Sequence, residues 1–520
     1  MKKILPYLML LMLVAVPARA ATTYRYSDSV TTVRGDAVGG ASVTVYNANT
    51  TTKATLYSSS ATGTKANPAT TDGYGRFSFY LLPGTYDFVV SGTNVTSYTI
   101  EDVRVFSDTG YTYNVMDYGV TGAGAANDST GINAAIDAAE ASVYGGRVYF
   151  PPGIYLASGI KVRGNDICID IDKGATIVSA STNRAAFLVD DSEGFSMTGG
   201  GTISGPVTLT SSCNAVLVDS CYGARFDDIN IVGFRNGIRA TSATTHTAYS
   251  GLSFVSTAFC ALWPHSGDIV TGCRFEDIGT LSTHHGIYMD EETSDVVLSG
   301  NYYKNITGAG VQIYSPSAGF SDISCTGEVF DRCGVGYIIA GTPAVRINIS
   351  GAVIDSCRNL AANETQTGVG INITGTAKNL NISATISYPD SLLLNTNTSL
   401  SDSKFNIAGV GAVVDGIRMY GSDCIGTFSV DDCGAIGFYL GSSSSRNNFT
   451  IKTRGNASNG IYVSGADRNM LSVITSLNNI GIGLTSGADS NVVSGMSGAN
   501  TGNELDNAGT GNTTSGLVTW

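Results

Sequence analysis

A four-residue pattern recurs along the chain: a small residue, an apolar residue, a variable residue and a second apolar residue. It stands at Gly237-Ile238-Arg239-Ala240, Ala261-Leu262-Trp263-Pro264, Gly286-Ile287-Tyr288-Met289 and Gly310-Val311-Gln312-Ile313, at spacings of 24, 25 and 24 residues. It returns at Gly416-Ile417-Arg418-Met419, Gly437-Phe438-Tyr439-Leu440, Gly460-Ile461-Tyr462-Val463 and Gly481-Ile482-Gly483-Leu484, at spacings of 21, 23 and 21. A period in the low twenties predicts one coil of a solenoid. A single coil cannot bury its own apolar side, so coils must stack. Side chains alternate faces along a strand, which sends the second and fourth residues inward and the third outward. The pattern therefore predicts an outward row of Arg239, Trp263, Tyr288 and Gln312, with Arg418, Tyr439 and Tyr462 further on. Residues 361–410 do not phase on it.

A second phrase follows each coil's next strand, as in Phe226-Asp227-Asp228-Ile229, Phe275-Glu276-Asp277-Ile278 and Tyr303-Lys304-Asn305-Ile306. In Phe330-Asp331-Arg332-Cys333 and Ile354-Asp355-Ser356-Cys357 a cysteine takes the inward apolar place of isoleucine. All ten cysteines lie between Cys168 and Cys433. An even count in an exported chain suggests disulfides. Buried thiols packed as small hydrophobes are the competing reading for Cys333 and Cys357. No Cys or His spacing suits zinc.

The first 20 residues read as an export signal: Lys2 and Lys3, the apolar run Ile4 to Val16, and Ala18-Arg19-Ala20 as the cleavage site. The run is too short for a normal membrane span, and no later run approaches its length. A secreted or surface-bound chain starting near Ala21 is expected. Residues 21–107 follow hairpin grammar. Turns are marked by Asp72-Gly73 and Pro83-Gly84; Phe77 and Phe79 alternate with polar neighbours, as do Tyr86, Phe88 and Val90 with Asp87 and Val89. The stretch "DGYGRFSFYLLPGTYDFVV" resembles the transthyretin-like, carboxypeptidase-regulatory type of β-sandwich. Such modules position or attach something else, and no chemistry is expected there.

Residues 111–163 differ. Asn127-Asp128 can cap a helix whose Ile132, Ala135, Ile136 and Ala139 share one face. The run "NVMDYGVTGAGAANDSTGINAAIDAA" with "GGRVYFPPGIYLASGI" resembles the opening of the pectate-lyase superfamily, of the rhamnogalacturonase/epimerase-like kind. The resemblance implies an all-β fold: a right-handed single-stranded parallel β-helix over 164–520, opened by 111–163 with a short capping α-helix and preceded by the small β-sandwich. The family includes lyases, hydrolases, epimerases and phage tailspikes, so it leaves the reaction open.

Composition fits this reading. Only 14% of residues are charged, 64 of 520 are glycine, and the net charge is −13. Losing Lys2, Lys3 and Arg19 with the signal makes it −16. So acidic a chain is a poor partner for nucleic acid. A polysaccharide is the expected partner, and an acidic one needs a local basic strip. Aromatic and guanidinium groups in line suit stacking against sugars, so Arg239, Trp263, Tyr288 and Gln312 are candidate substrate-binding residues, joined by Arg274 and Lys304 as basic groups of the same zone.

The four histidines, His246, His265, His284 and His285, fall within 40 residues. In the phase of the repeat, His246, His265 and Asp290-Glu291-Glu292 occupy the loop after the row's strand in successive coils. A histidine beside carboxylates can serve as general base and acid near neutral pH. His265, His246, Asp290, Glu291 and Glu276 are the catalytic candidates. His285 stands where other coils carry Asn236 or Asn459 and reads as part of an asparagine ladder. Asp290, Glu291, Glu292 and Asp295 offer oxygen ligands of the type calcium takes, but no metal or cofactor is assigned.

Ala261-Leu262-Trp263-Pro264-His265 is similar to the Gly-apolar-Asp-Pro-His strand end of mannuronan C5-epimerases. In that family the aspartate and the histidine are catalytic. Here only His265 carries a role over, because Trp263 replaces the acid. The expected function is a secreted protein that cleaves or modifies an acidic polysaccharide, by elimination first and hydrolysis second. A non-catalytic glycan-binding adhesin and a tailspike-like trimeric depolymerase are the alternatives; oligomerisation is left open.

Overall fold

The structure, a computed structural model, describes residues 24–519 except 33–36, 59–62, 83, 94, 106–110, 143, 180, 207–212, 282, 291–292, 316–318, 359–367, 397–398 and 515. The export signal, Pro83 and the candidates Glu291 and Glu292 lie outside the described residues. The chain divides into two compact units, one up to Tyr111 and one from Thr112 onward.

The first unit holds two antiparallel four-stranded sheets. Arg76–Leu81 pairs with Tyr24–Ser29 in one, and Gly84–Gly92 lies between Ser42–Asn47 and Val95–Val105 in the other. The alternation read from the sequence is the packing. Phe77, Phe79, Tyr86, Phe88 and Val90 are buried in a single core with Val43 and Val45. The Asp72 side chain fixes the turn by accepting the N–H groups of Tyr74 and Arg76, both at 2.9 Å.

The second unit is a parallel β-helix of about fifteen coils. Helix Ser129–Glu140 covers its opening, burying Ile132, Ala135, Ile136 and Ala139. Asn127, not Asp128, supplies the side-chain cap, accepting the Ser129 N–H at 3.0 Å. Among the described residues no helix is long and apolar enough to cross a membrane.

Each central coil has three walls. In one coil they are Asn236–Ala240, Ala248–Ser250 and Ser253–Val255; in the next, Cys260–Trp263, Ile269–Thr271 and Arg274–Glu276. The second and third walls meet at a sharp bend. There Gly251, Gly272, Gly300, Gly327 and Gly351 stack one per coil, all in the left-handed region with φ of 61–66°. Only glycine adopts that conformation without steric cost. Further on the bend opens, and single seven-residue strands such as Asn448–Arg454 span both walls.

The interior repeats from coil to coil. Phe254, Phe275, Tyr303 and Phe330 stack with ring centroids 4.6–5.1 Å apart and planes within 8°. Asn447, Asn469, Asn491 and Asn512 form a ladder of amide hydrogen bonds at 2.9–3.2 Å. A second ladder, Asn456, Asn478 and Asn500, ends on the Glu504 carboxylate. The disulfides suggested by the even cysteine count are absent: all ten are thiols, nine buried and Cys168 half-buried. Seven of the buried ones point their Sγ at carbonyls, as Cys333 does toward Tyr303 O at 3.7 Å. Burial pushes the Cys333 thiol up to about 12.

Candidate functional site

The first wall carries the outward row in register. Arg239 pairs with Trp263, and Tyr288 with Gln312. Their neighbours Ile238, Leu262, Ile287, Met289, Val311 and Ile313 are fully buried, so the alternation of faces holds through all four coils. Arg239 is exposed, and its guanidinium lies 4.5 Å over the Trp263 ring. Trp263 meets Tyr288 edge-on at 5.1 Å and 70°. Arg239 makes no ion pair among the described residues. The ring beneath it is its partner, and a cation over an indole is attracted by the ring quadrupole.

The two separated rows of the sequence reading are one. Gln312 continues through Ile338, Asn372 and Asn395 to Arg418, Tyr439 and Tyr462. Asn395 donates to Asn372 at 2.9 Å. The phrase was present at Gly336-Tyr337-Ile338-Ile339 and Gly370-Ile371-Asn372-Ile373, but 34 residues separate the two glycines. The long connection hides the period.

The turn after this wall is unusually short in one coil. Seven positions separate Arg239 from His246, and Tyr288 from Asp295, whereas four separate Trp263 from Gly267. His246, Gly267 and Asp295 occupy the same left-handed corner of successive coils, with φ of 61°, 78° and 59°. The shortened turn sets His265 directly at the wall's end, nine-tenths buried, with Asp290 at the end of the same wall one coil on. The His265 and Thr247 N–H groups donate to Asp268 at 2.8 and 2.7 Å. Asp268 is sealed from solvent, and burial raises its carboxyl to about 7. His246 is exposed at the far side of that turn. Its ring lies 5.1 Å from Tyr222 and over Gly267, where a Cβ would approach it to 3.0 Å.

Three candidates are not beside the row. Arg274, Glu276 and Lys304 stand on the third wall, two strands away. Glu276 bridges Lys304 at 2.6 Å and Arg274 at 2.7 Å, and those bonds hold its carboxyl below the usual range. A carboxylate so paired is a poor proton donor, and its two cations are engaged. Nearness in the chain predicts one zone for these residues and the row; the intervening bend turns them away.

The other histidines are structural. His285 pairs in register with Cys260, which pairs with Asn236, and its Nδ1 accepts the Ala309 N–H at 3.1 Å. Desolvation pushes the imidazole down to about 3, so it stays neutral. His284 Nδ1 accepts the Thr280 N–H at 2.9 Å and its ring meets Phe259 edge-on. Tyr420, just beyond the row's strand, escaped the repeat phrase. Its signal is Gly441 in the next coil, over which its ring lies. Among the described residues no cluster of three or more His, Cys, Asp or Glu is placed to hold a metal ion.

Residues 112–359 match the family described as rhamnogalacturonase A/epimerase, pectate lyase-like. The chain is 35% identical over 102 residues to the plasmin and fibronectin-binding protein A of Streptococcus pneumoniae, covering 18% of this chain and 14% of that one. It is 40% identical over 79 residues to mannuronan C5-epimerase AlgE1 of Azotobacter vinelandii, covering 15% and 6%. It thus spans under a sixth of either curated relative. A family 28 exopolygalacturonase of Yersinia enterocolitica superposes with a TM-score of 0.48 at 10% identity, over 75% of this chain and 85% of that one. The second unit of the chain is thus a parallel β-helix whose residues 112–359 are pectate lyase-like.

Proposed function

We propose that the protein works outside the cell on an acidic polysaccharide held along the first wall. The observation that carries this is Arg239 over Trp263, in line with Tyr288 and Gln312. A cation beside aromatic faces, with no ion pair among the described residues, suits a sugar that bears a carboxylate. The stretch shared with a mannuronan epimerase supports the class of polymer.

The reaction we favour is elimination beside a uronate. Arg239 neutralises the sugar carboxylate. His265 takes the proton alpha to it, the freed electron pair forms a carbon–carbon double bond, and the glycosidic bond breaks, its oxygen leaving with the proton that His265 passes on. Hydrolysis using Asp290 and Glu291 is the alternative reaction. The test is incubation of pectate and alginate with wild type and His265→Ala, following the ultraviolet absorbance of an unsaturated uronate. Product from the wild type that is lost in the variant supports elimination. Equal turnover by both removes His265 from the chemistry.

The likeness to plasmin and fibronectin-binding protein A favours a second reading, an adhesin that grips glycans without cleaving them. Binding of pectate or alginate that Arg239→Ala abolishes, with no product from any substrate, selects it.

A further inference from the structure

The row's downstream end has a different chemistry from its upstream end. Tyr439 and Tyr462 stack at 5.9 Å and 28°, and Tyr420 adjoins Tyr439 at 5.9 Å and 52°. All three are half-buried. Two glycines make room for them. A Cβ on Gly441 would fall 2.0 Å from the Tyr420 ring, and one on Gly483 would fall 3.0 Å from the Tyr462 ring. The rings therefore lie along the wall over bare backbone and present aromatic surface to solvent.

Charge separates this end from the Arg239 end. Arg418 donates its Nε to Asp415 at 2.7 Å, and Asp415, almost fully buried, also accepts the Ile436 N–H at 2.9 Å. The cation is neutralised by a carboxylate fixed in the wall. Beside Tyr420, across Gly421, opens a groove of about 510 Å³. Its polar lining is hydroxyl: Thr376, Ser399, Ser401, Ser422 and Ser443. Aromatic faces without free charge, next to hydroxyls, match the faces and hydroxyl edges of an uncharged sugar.

We propose that Tyr420, Tyr439 and Tyr462 form a second carbohydrate-binding platform, which takes an uncharged glycan segment. This rests on the reading that the first wall holds a glycan. Nine coil steps separate Arg239 from Tyr462, about 43 Å at the ~4.8 Å spacing of neighbouring strands. One extended polymer with acidic and neutral stretches can lie on both platforms.

The test is native affinity electrophoresis of the full chain through gels containing glucomannan, galactan, mixed-linkage glucan or dextran, with pectate and alginate gels in parallel. At least one neutral glycan should retard the wild type. Tyr439→Ala/Tyr462→Ala should weaken that retardation about tenfold. Tyr439→Phe/Tyr462→Phe should keep it, because the ring faces remain. Gly441→Ala, which displaces Tyr420 while deleting no side chain, should weaken it with the melting temperature held. Arg239→Ala/Trp263→Ala should leave neutral gels unchanged and lose retardation only in acidic ones. The proposal is overturned if no neutral glycan retards the wild type, or if the double alanine variant migrates like it. Failure in the acidic gels alone overturns the function proposed for the Arg239 end and leaves this platform standing.

Discussion

Tyr303 donates its hydroxyl to the Glu328 carboxylate at 2.8 Å, inside the sealed core of the β-helix. Asn301 adds its backbone N–H and its amide to the same carboxylate, at 3.3 and 3.2 Å. Three donors do not offset the loss of water, and burial holds the Glu328 carboxyl up at about 7.

Stability should therefore fall with rising pH. A carboxyl whose folded value exceeds its unfolded one contributes fully below about 4.3, and that contribution is lost as the pH climbs to about 7. The loss for Glu328 is roughly 3 kcal/mol. Asp268, also raised to about 7, adds to the same slope. Glu328→Gln should flatten the fall in denaturant stability between pH 5 and pH 8 by about half. Parallel slopes for wild type and variant would refute this.

The thiols should be silent. With nine of ten buried and their ionisation suppressed, a thiol-specific chromophoric reagent should label at most Cys168 in the native protein and all ten after unfolding. Reducing agent should leave the melting temperature where it is.

Asn469 is a rung with neighbours on both sides. Its Oδ1 accepts from Asn447, and its Nδ2 donates to Asn491. Asn469→Ala leaves partners buried without a mate, which should cost about 2–4 kcal/mol in chemical denaturation. An exposed asparagine such as Asn448 should cost under about 0.5 kcal/mol when replaced by alanine.

Binding at the Arg239 end should depend on salt. Arg239→Gln should weaken capture of pectate or alginate at low ionic strength. The gap between wild type and variant should shrink toward 1 M salt, where the screening length drops from about 10 Å to about 3 Å. A salt-independent gap would mean that Arg239 acts through packing on Trp263 alone.

What the sequence revealed followed the period. Gly237, Ala261, Gly286 and Gly310 mark equivalent points, so the alignment of Arg239, Trp263, Tyr288 and Gln312 was legible. Strand alternation then fixed which side chains face out. Where the spacing jumps between Gly336 and Gly370, the period no longer marks the phrase, and the row reads as two. Arg274, Glu276 and Lys304 were misplaced for another reason: linear nearness to the row says nothing about the bend at Gly272. The shared corner of His246, Gly267 and Asp295 depends on turn length, which no repeat phrase encodes.

The shortened turn after Trp263 has one further consequence. Wall strands keep height and orientation, while the links between them lengthen or contract without shifting any coil above or below. The molecule is a graduated scale whose marks stay fixed as the labels change. Grafting the four-position link of this coil onto a neighbour should move a recessed imidazole by one graduation, and the reach of the site along a polymer would move with it.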